Sequence, residues 1–143
     1  MSAQPVFSHR RVVRFGECDP AGVVYYPVFF GWFHEAMEAW FAERVGVPYA
    51  TVLEEIGFPA VRTEADFSRP CRNGDEVTVD VVVEKMGSRS LTFAFTVRGA
   101  GEGEDVRARG KTVCVGIAAA ADGFTFSSAT IPAALRDQIA GAT

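Results

Sequence analysis

The residues from Phe29 to Val45 constrain the fold more than any other stretch of the chain. Advanced at about 100° per residue, Phe29, Phe30, Trp32, Phe33, Ala36, Met37, Trp40 and Phe41 fill an arc of about 180° around a helix. His34, Glu35, Glu38 and Ala42 fall on the other side. An apolar face that broad belongs to a helix wrapped by something else. Pro27 suits the first position of this helix, and Gly46 followed by Pro48 stops it.

The wrapping surface is found downstream. Val77, Val79, Val81 and Val83 alternate mostly with polar residues from Asp75 to Met86, and Leu91, Phe93, Phe95 and Val97 repeat the pattern. Each run reads as a half-buried strand, and Gly87-Ser88 joins the two as a hairpin. Gly99 to Glu104 is the next turn, and Val106 to Ala118 reads as one further long strand. A strand from about Ala60 to Cys71 precedes the Asn73-Gly74 turn signal. A first strand runs from Phe7 to Phe15, with His9-Arg10-Arg11 as its solvated face, and Pro132 to Ala140 reads as a short helix. The sum predicts an α+β domain over residues 1–143, one long buried helix against four or five antiparallel strands.

Composition narrows the function. A length of 143 residues with 48% hydrophobic content suits one domain with a proper core. The formal net charge of -4 leaves no broad cationic footprint for nucleic acid, although local basic groups could hold a phosphorylated small ligand. Cys18, Cys71 and Cys114 are widely spaced, with no CxxC pair, and are expected as reduced thiols in the cytoplasm. The start Met1-Ser2-Ala3-Gln4-Pro5 has no cationic flank before an apolar run, so no signal peptide is expected. No stretch approaches the roughly 20 apolar residues of a membrane helix. Of twelve phenylalanines and two tryptophans, seven fall within Phe15 to Phe41; such a load builds a core or lines an acyl pocket.

The segment Glu17-Cys18-Asp19-Pro20-Ala21-Gly22-Val23-Val24-Tyr25-Tyr26-Pro27 brings a carboxylate through a tight turn to the mouth of that helix. Unpaired N–H groups at a helix start can receive negative charge, and Asp19 can act as nucleophile or general base, or can simply stabilise the turn. Asp19-Pro20-Ala21-Gly22, then Val24-Tyr25-Tyr26-Pro27, then Val28-Phe29-Phe30-Gly31-Trp32 resemble the active-site segment of the 4-hydroxybenzoyl-CoA thioesterase family. The similarity is close from about Val12 to Val45. Phe67, Pro70, Gly74-Asp75 and Gly87-Ser88-Arg89-Ser90 fit the family's looser pattern.

This resemblance implies the hotdog fold, in which a curved antiparallel sheet wraps a central helix. It implies hydrolysis of an acyl-CoA to a carboxylic acid and free CoA, without metal or other cofactor. Asp19 falls on the family's catalytic aspartate, which acts as nucleophile through a mixed anhydride or as base for water. Tyr26 falls on the residue whose backbone N–H polarises the thioester carbonyl, and a Tyr there leans toward aryl-CoA substrates, with a short acyl-CoA as the alternative. Gly22 and Tyr25 belong to the same motif and are expected at the substrate.

Phosphates of CoA call for cations. Arg89 beside Ser88 is the first choice, with Lys85, Arg72, Arg69 and Lys111 behind it. His34 and Glu38 have a spacing that could ligate a metal, but no third ligand is evident and an i,i+4 polar pair is expected. In a dimer His34 and Glu35 could instead reach the substrate. Cys18 has no recognisable Cys-His spacing to make it a nucleophile. A lone hotdog subunit would leave sheet edges open, so a homodimer or a tetramer of two dimers is expected. The alternatives are a non-catalytic acyl or aromatic ligand-binding module on the same scaffold, and a hydratase, whose His-centred helix motif this chain lacks.

Overall fold

The computed structural model describes residues 7–101 and 103–143. Met1 to Pro5, read above for a signal peptide, and Glu102 in the Gly99–Glu104 turn lie outside the described residues. Five strands form one antiparallel sheet: β1 (Phe7–Val12), β2 (Ala60–Phe67), β3 (Glu76–Met86), β4 (Ser90–Gly99) and β5 (Val106–Val115). Their order is β1-β3-β4-β5-β2, so β1 and β2 are the edges. The long helix α1 (Val28–Trp40) lies against one face. This is the expected α+β arrangement.

Period two decides which side chains meet the helix. One row across the sheet reads Phe7, Val81, Phe95, Gly110 and Ala65, and the next reads His9, Val79, Val97, Ala108 and Phe67. Val77, Val79, Val81 and Val83 of β3 and Leu91, Phe93, Phe95 and Val97 are buried under Phe29, Trp32, Phe33, Ala36, Met37 and Trp40. Burying each large apolar side chain contributes about 1.5–3 kcal/mol.

Gly110 sets how closely the layers approach. Phe33 stacks on Phe95 with ring centroids 4.8 Å apart, and its edge lies over Gly110. A β-carbon at position 110 would overlap the Phe33 ring, 2.6 Å from Cζ, and would sit 2.9 Å from the Glu64 carbonyl oxygen.

Several elements differ from the sequence expectation. The first strand stops at Val12, and Phe15–Glu17 forms a 3-10 turn. Helix α1 is regular only to Trp40; over Phe41–Val45 the turn widens, and the Phe41 carbonyl accepts both Gly46 N–H and Val47 N–H. Gly46, at φ +85°, then reverses the chain. A short helix α2 (Tyr49–Glu55) follows, anchored by buried Val52. The second strand ends at Phe67 rather than Cys71.

The strand expected from Val106 to Ala118 breaks at Gly116, where the Ile56 side chain and the Ala129 carbonyl close in on the backbone. Beyond it Ile117–Ala119 (β6) and Phe126–Ser128 (β7) form a separate ribbon, and Ala133–Ala142 forms α3. No helix among the described residues is long and apolar enough to cross a membrane.

Gly110→Ala is expected to destabilise the fold by about 1–3 kcal/mol, because Phe33 must leave its stacking position or the helix must lift. Urea unfolding checks this; an unchanged midpoint would mean that the layers have slack at this point.

Candidate active site

The Asp19 segment folds into a miniature ribbon. Cys18 and Val24 form an antiparallel bridge, Asp19 N–H donates to Val23 O at 2.9 Å, and Gly22 N–H donates to Asp19 O at 2.9 Å. Gly22 adopts φ +80°, which a side chain would resist. One Asp19 carboxylate oxygen, Oδ1, accepts from Ala21 N–H at 2.9 Å. The other makes no hydrogen bond among the described residues. Val24 N–H donates to Cys71 O at 2.8 Å and Val23 bridges to Arg72, fastening the ribbon to the turn before β3.

The helix begins directly after the ribbon. Tyr25 N–H donates to Glu17 O, and the Tyr25 and Tyr26 carbonyls accept from Val28 and Phe29 N–H. Pro27 caps the helix without a side-chain hydrogen bond and has no N–H of its own. The Tyr26 N–H makes no hydrogen bond among the described residues, so it is available to an outside acceptor. The positive end of the α1 dipole favours negative charge at this place.

Two open hollows flank this helix start. One, of about 300 Å³, is lined by Glu17, Asp19, Tyr25 and Val28. The other, of about 340 Å³, is lined by Tyr26, Phe29, Phe67 and Arg69. The Tyr25 and Tyr26 rings, edge to face at 5.3 Å, stand between them. A third and more apolar cavity of about 310 Å³ lies farther along α1 toward β2, bordered by Phe30, His34, Met37, Tyr49 and Thr63. Burial pushes the Tyr49 hydroxyl up to about 12.

The structure therefore brings Asp19, Gly22, Tyr25 and Tyr26 together and leaves other expected residues apart. His34 faces the third cavity and contacts Glu38 at 2.7 Å, the expected i,i+4 pair. Among the described residues no three His, Cys, Asp or Glu side chains converge as a metal-ligand set. Glu35 is held by His9 at 2.9 Å and Arg11 at 3.2 Å on the side of α1 that faces β1. Ser88 and Arg89 sit in the β3–β4 hairpin, where Arg89 donates to Ser128 Oγ at 2.9 Å. That hairpin ends the sheet where Ser90 pairs with Val115, whereas Tyr26 lies near Phe67, paired with Ala108. Seven residues of β5 separate the two ends, roughly 23 Å at strand rise. Of the remaining cations, Lys111 pairs with Glu84, and Arg69 alone lines a hollow beside Tyr26.

Two features escaped the sequence reading. Arg11, expected on a solvated face with His9 and Arg10, is only 12% exposed and packs over the Trp32 ring at 4.9 Å. Its alternation with Phe7 and His9 was the available signal, since all three share the helix-facing side of β1. Glu17, given no role, accepts from Arg11 Nη2 at 2.7 and 2.8 Å, from Trp32 Nε1 at 2.8 Å and from Arg14 N–H at 2.9 Å.

The segment after Phe67 is held by charge. Buried Asp105 accepts from Arg107 Nε at 3.0 Å, Arg107 Nη2 at 2.9 Å and Arg69 Nη1 at 3.1 Å, and Arg107 also donates to Pro70 O at 2.8 Å. The hydrogen bonds from Arg107 foremost, and then that from Arg69, lower the Asp105 carboxyl to about 2. Burial raises the Cys71 thiol, and pushes Cys114 up to about 11, so both stay protonated at neutral pH.

Residues 13–139 match the thioesterase-like superfamily, and the chain belongs to that family. It is 32% identical over 112 residues to the 1,4-dihydroxy-2-naphthoyl-CoA hydrolase of Trichodesmium erythraeum (strain IMS101), covering 76% of this chain and 81% of that one. Against the hydrolase of the same name from Prochlorococcus marinus (strain MIT 9303) the identity is 34% over 98 residues, 62% of this chain. The match spans 64% of that relative, just under two thirds of its length. Among solved structures, a 1,4-dihydroxy-2-naphthoyl-CoA thioesterase from Synechocystis superposes with a TM-score of 0.83 at 25% identity, covering 95% of this chain and 96% of that one. An Asp-to-Asn mutant of 4-hydroxybenzoyl-CoA thioesterase, complexed with 4-hydroxybenzoyl-CoA, gives 0.80 at 26% identity, covering 96% and 99%. The fold is the hotdog fold.

Because the folded Asp105 carboxyl lies below its ordinary value of 3.8, its contribution to stability is present above that pH and is lost as pH falls through about 2. Asp105→Asn is expected to lower stability at neutral pH and to flatten the loss between about pH 4 and pH 2. Urea titrations across that range check it; equal slopes for parent and variant would contradict the assignment.

Proposed function

We propose that the protein is an acyl-CoA thioesterase that hydrolyses an aromatic acyl-CoA to the aryl carboxylic acid and free CoA. The observation that carries this reading is the pairing at the start of α1 of a carboxylate with an unoccupied oxygen, on Asp19, and a backbone N–H without an acceptor, on Tyr26. The thioester oxygen would accept from the Tyr26 N–H, and charge developing on it as the carbonyl becomes tetrahedral would be met by that dipole and the helix end. Asp19 supplies the other half of the reaction, either by attacking the carbonyl carbon or by taking a proton from the attacking water. In the first route the C–S bond breaks to leave an acyl–Asp19 anhydride, the CoA sulfur takes a proton from solvent, and water then cleaves the anhydride to the carboxylic acid and free Asp19. In the second, the water oxygen adds to the carbonyl carbon, the C–S bond breaks, and the proton held by Asp19 passes to the CoA sulfur. Gly22 keeps the turn tight, and Tyr25 borders the hollow beside Asp19.

Support for an aryl substrate comes from the relatives, which act on 1,4-dihydroxy-2-naphthoyl-CoA and 4-hydroxybenzoyl-CoA, and from the aromatic walls of the hollows at Tyr25, Tyr26, Phe29 and Phe67. A hydroxylated one- or two-ring acyl group fits this chemistry better than a long aliphatic chain. The cytoplasm is the proposed location, consistent with three cysteines that form no disulfide.

The active unit is proposed to be a dimer or a pair of dimers. Edge strand β2 exposes seven of its eight residues, Val61 and Phe67 among them, and its outer hydrogen-bonding groups have no strand beside them. Antiparallel pairing of β2 with a second copy would set the Ala60 end of one subunit beside the Phe67 end of the other. His34, Ser88 and Arg89 lie toward the Ala60 end, and such pairing would carry them toward a neighbour's Asp19 and Tyr26. Arg89 would then be placed to receive a CoA phosphate, and His34 to contact the acyl group.

Asp19→Asn is expected to lower turnover by about 100-fold or more with folding intact, as loss of a positioned base or nucleophile does. The test measures thiol release from aryl, short-chain and long-chain acyl-CoA thioesters by parent and variant. Equal rates in the two proteins would remove Asp19 from the mechanism. Saturable binding without release from any thioester would instead make the protein a ligand-binding module. Light scattering is expected to give two or four times the 15.4 kDa chain mass.

A further inference from the structure

We propose that Glu17 is a positioning residue that holds the Asp19 carboxylate and the Tyr26 N–H in register, an inference that rests on the thioesterase reading of those two groups.

Glu17 and Asp19 stand two residues apart beside the same hollow, yet their carboxylates are in opposite conditions. Glu17 is only 19% exposed, and both of its oxygens are occupied. Oε1 accepts from Arg11 Nη2 and Arg14 N–H, and Oε2 accepts from Arg11 Nη2 and Trp32 Nε1. Four hydrogen bonds fill the acceptor capacity of a carboxylate. With both oxygens fully engaged, Glu17 has no free lone pair to offer a carbonyl carbon or a water proton. Asp19 keeps one oxygen open.

The four hydrogen bonds come from three donors in three segments: Arg11 Nη2, which makes two, from β1, Arg14 N–H from the connection after it and Trp32 Nε1 from α1. Trp32 is 1% exposed, so its indole N–H has a fixed direction. The backbone of the same residue completes the arrangement. Glu17 N–H donates to Arg14 O at 3.0 Å, and Glu17 O accepts from Tyr25 N–H at 3.0 Å. One residue therefore anchors both the chain entering the Asp19 turn and the chain leaving it. Asp19 lies two residues after this anchor, and the free Tyr26 N–H lies one residue after Tyr25. Cys18 N–H also donates to Phe15 O at 3.1 Å, within the same connection, while Val24 to Cys71 and Val23 to Arg72 lead to a different segment and touch neither β1 nor α1. Misplacement of reacting groups by about 1 Å can cost about 100-fold in rate.

Glu17→Gln keeps the size of the side chain but turns an NH2 group toward donors. It is expected to lower kcat on an aryl-CoA thioester by about 10- to 100-fold while KM stays within about threefold. Added to Asp19→Asn, it is expected to change the residual rate by less than about twofold, because the group it positions is already disabled. Trp32→Phe removes one donor and leaves the Arg11 pair; a smaller loss in the same direction is expected, and this variant serves if Glu17→Gln does not fold. Hydrogen exchange gives a readout independent of turnover: the Asp19, Gly22 and Tyr25 amides should exchange faster in both variants, with those in the middle of β3 and β4 unchanged. A folded Glu17→Gln protein with the parent kcat, a fully additive double variant, or unaltered exchange in the turn would each overturn the proposal. If the parent itself hydrolyses no thioester, the proposed function fails, and exchange in the turn alone decides whether Glu17 orders it.

Discussion

Phe33 rests on Gly110, and the position of the helix follows from that contact. A strand residue with any side chain at 110 would hold α1 away from the sheet, whereas glycine lets the ring slide under and stack on Phe95. With Phe33 fixed, the neighbouring helix positions have little freedom. Trp32, one residue back, is turned toward β1 and brings its indole to Glu17. Phe29, one turn back, meets Phe67 at the end of β2 with ring centroids 5.1 Å apart. The seat of the helix on one glycine thus decides where the helix start, with its unpaired N–H, meets the edge of the sheet.

The parts of this arrangement visible in the sequence are those with a period. Four valines at alternate positions and an aromatic arc at 100° intervals each have one economical reading, and the structure follows both. What lacked a period was harder to see. Gly110 is an unremarked residue in a strand until the ring that needs the space is known. Gly116 breaks a strand only because Ile56 and the Ala129 carbonyl, distant in sequence, crowd it. Arg11 had the right period but the wrong chemistry; a charged side chain on the helix-facing side of a strand reads as solvated unless its carboxylate and indole partners are in view. Asp19 and Tyr26 were legible through a contiguous motif, while Glu17, inside the same motif, was not, because its partners come from three separate segments.

The same contrast divides the candidate site. Its reactive part is local, a turn of seven residues shaped by backbone hydrogen bonds and one positive φ and anchored just before it by Glu17. Its binding part is dispersed: aromatic rings at Tyr25, Tyr26 and Phe67, a histidine farther along α1, and a cation at the far end of the sheet. Arg89 and Tyr26 lie at opposite ends of the sheet within one subunit, seven strand residues apart. The antiparallel pairing of two β2 edges proposed above would reverse that separation, because the far end of one subunit would become the near end of its neighbour. In that proposal the exposed edge and the scattered residues would both be consequences of one incomplete surface.

A division of this kind has a chemical consequence. The proposed oxyanion donor is a main-chain N–H, and the proposed carboxylate is held by main-chain hydrogen bonds, so neither depends on the identity of the rings around it. In this proposal Tyr26 would contribute its amide to the reaction and its side chain only to a wall. Substitutions at Tyr25, Tyr26, Phe67 or His34 can therefore alter which acyl group fits while the turn and the helix start keep their geometry. The opposite holds for Gly22, Glu17 and Gly110, which touch no acyl group in this reading but fix where the backbone runs. Under the proposed mechanism, selectivity and reactivity would fall to different residues, one to side chains on the rim and the other to the peptide backbone at a single helix start.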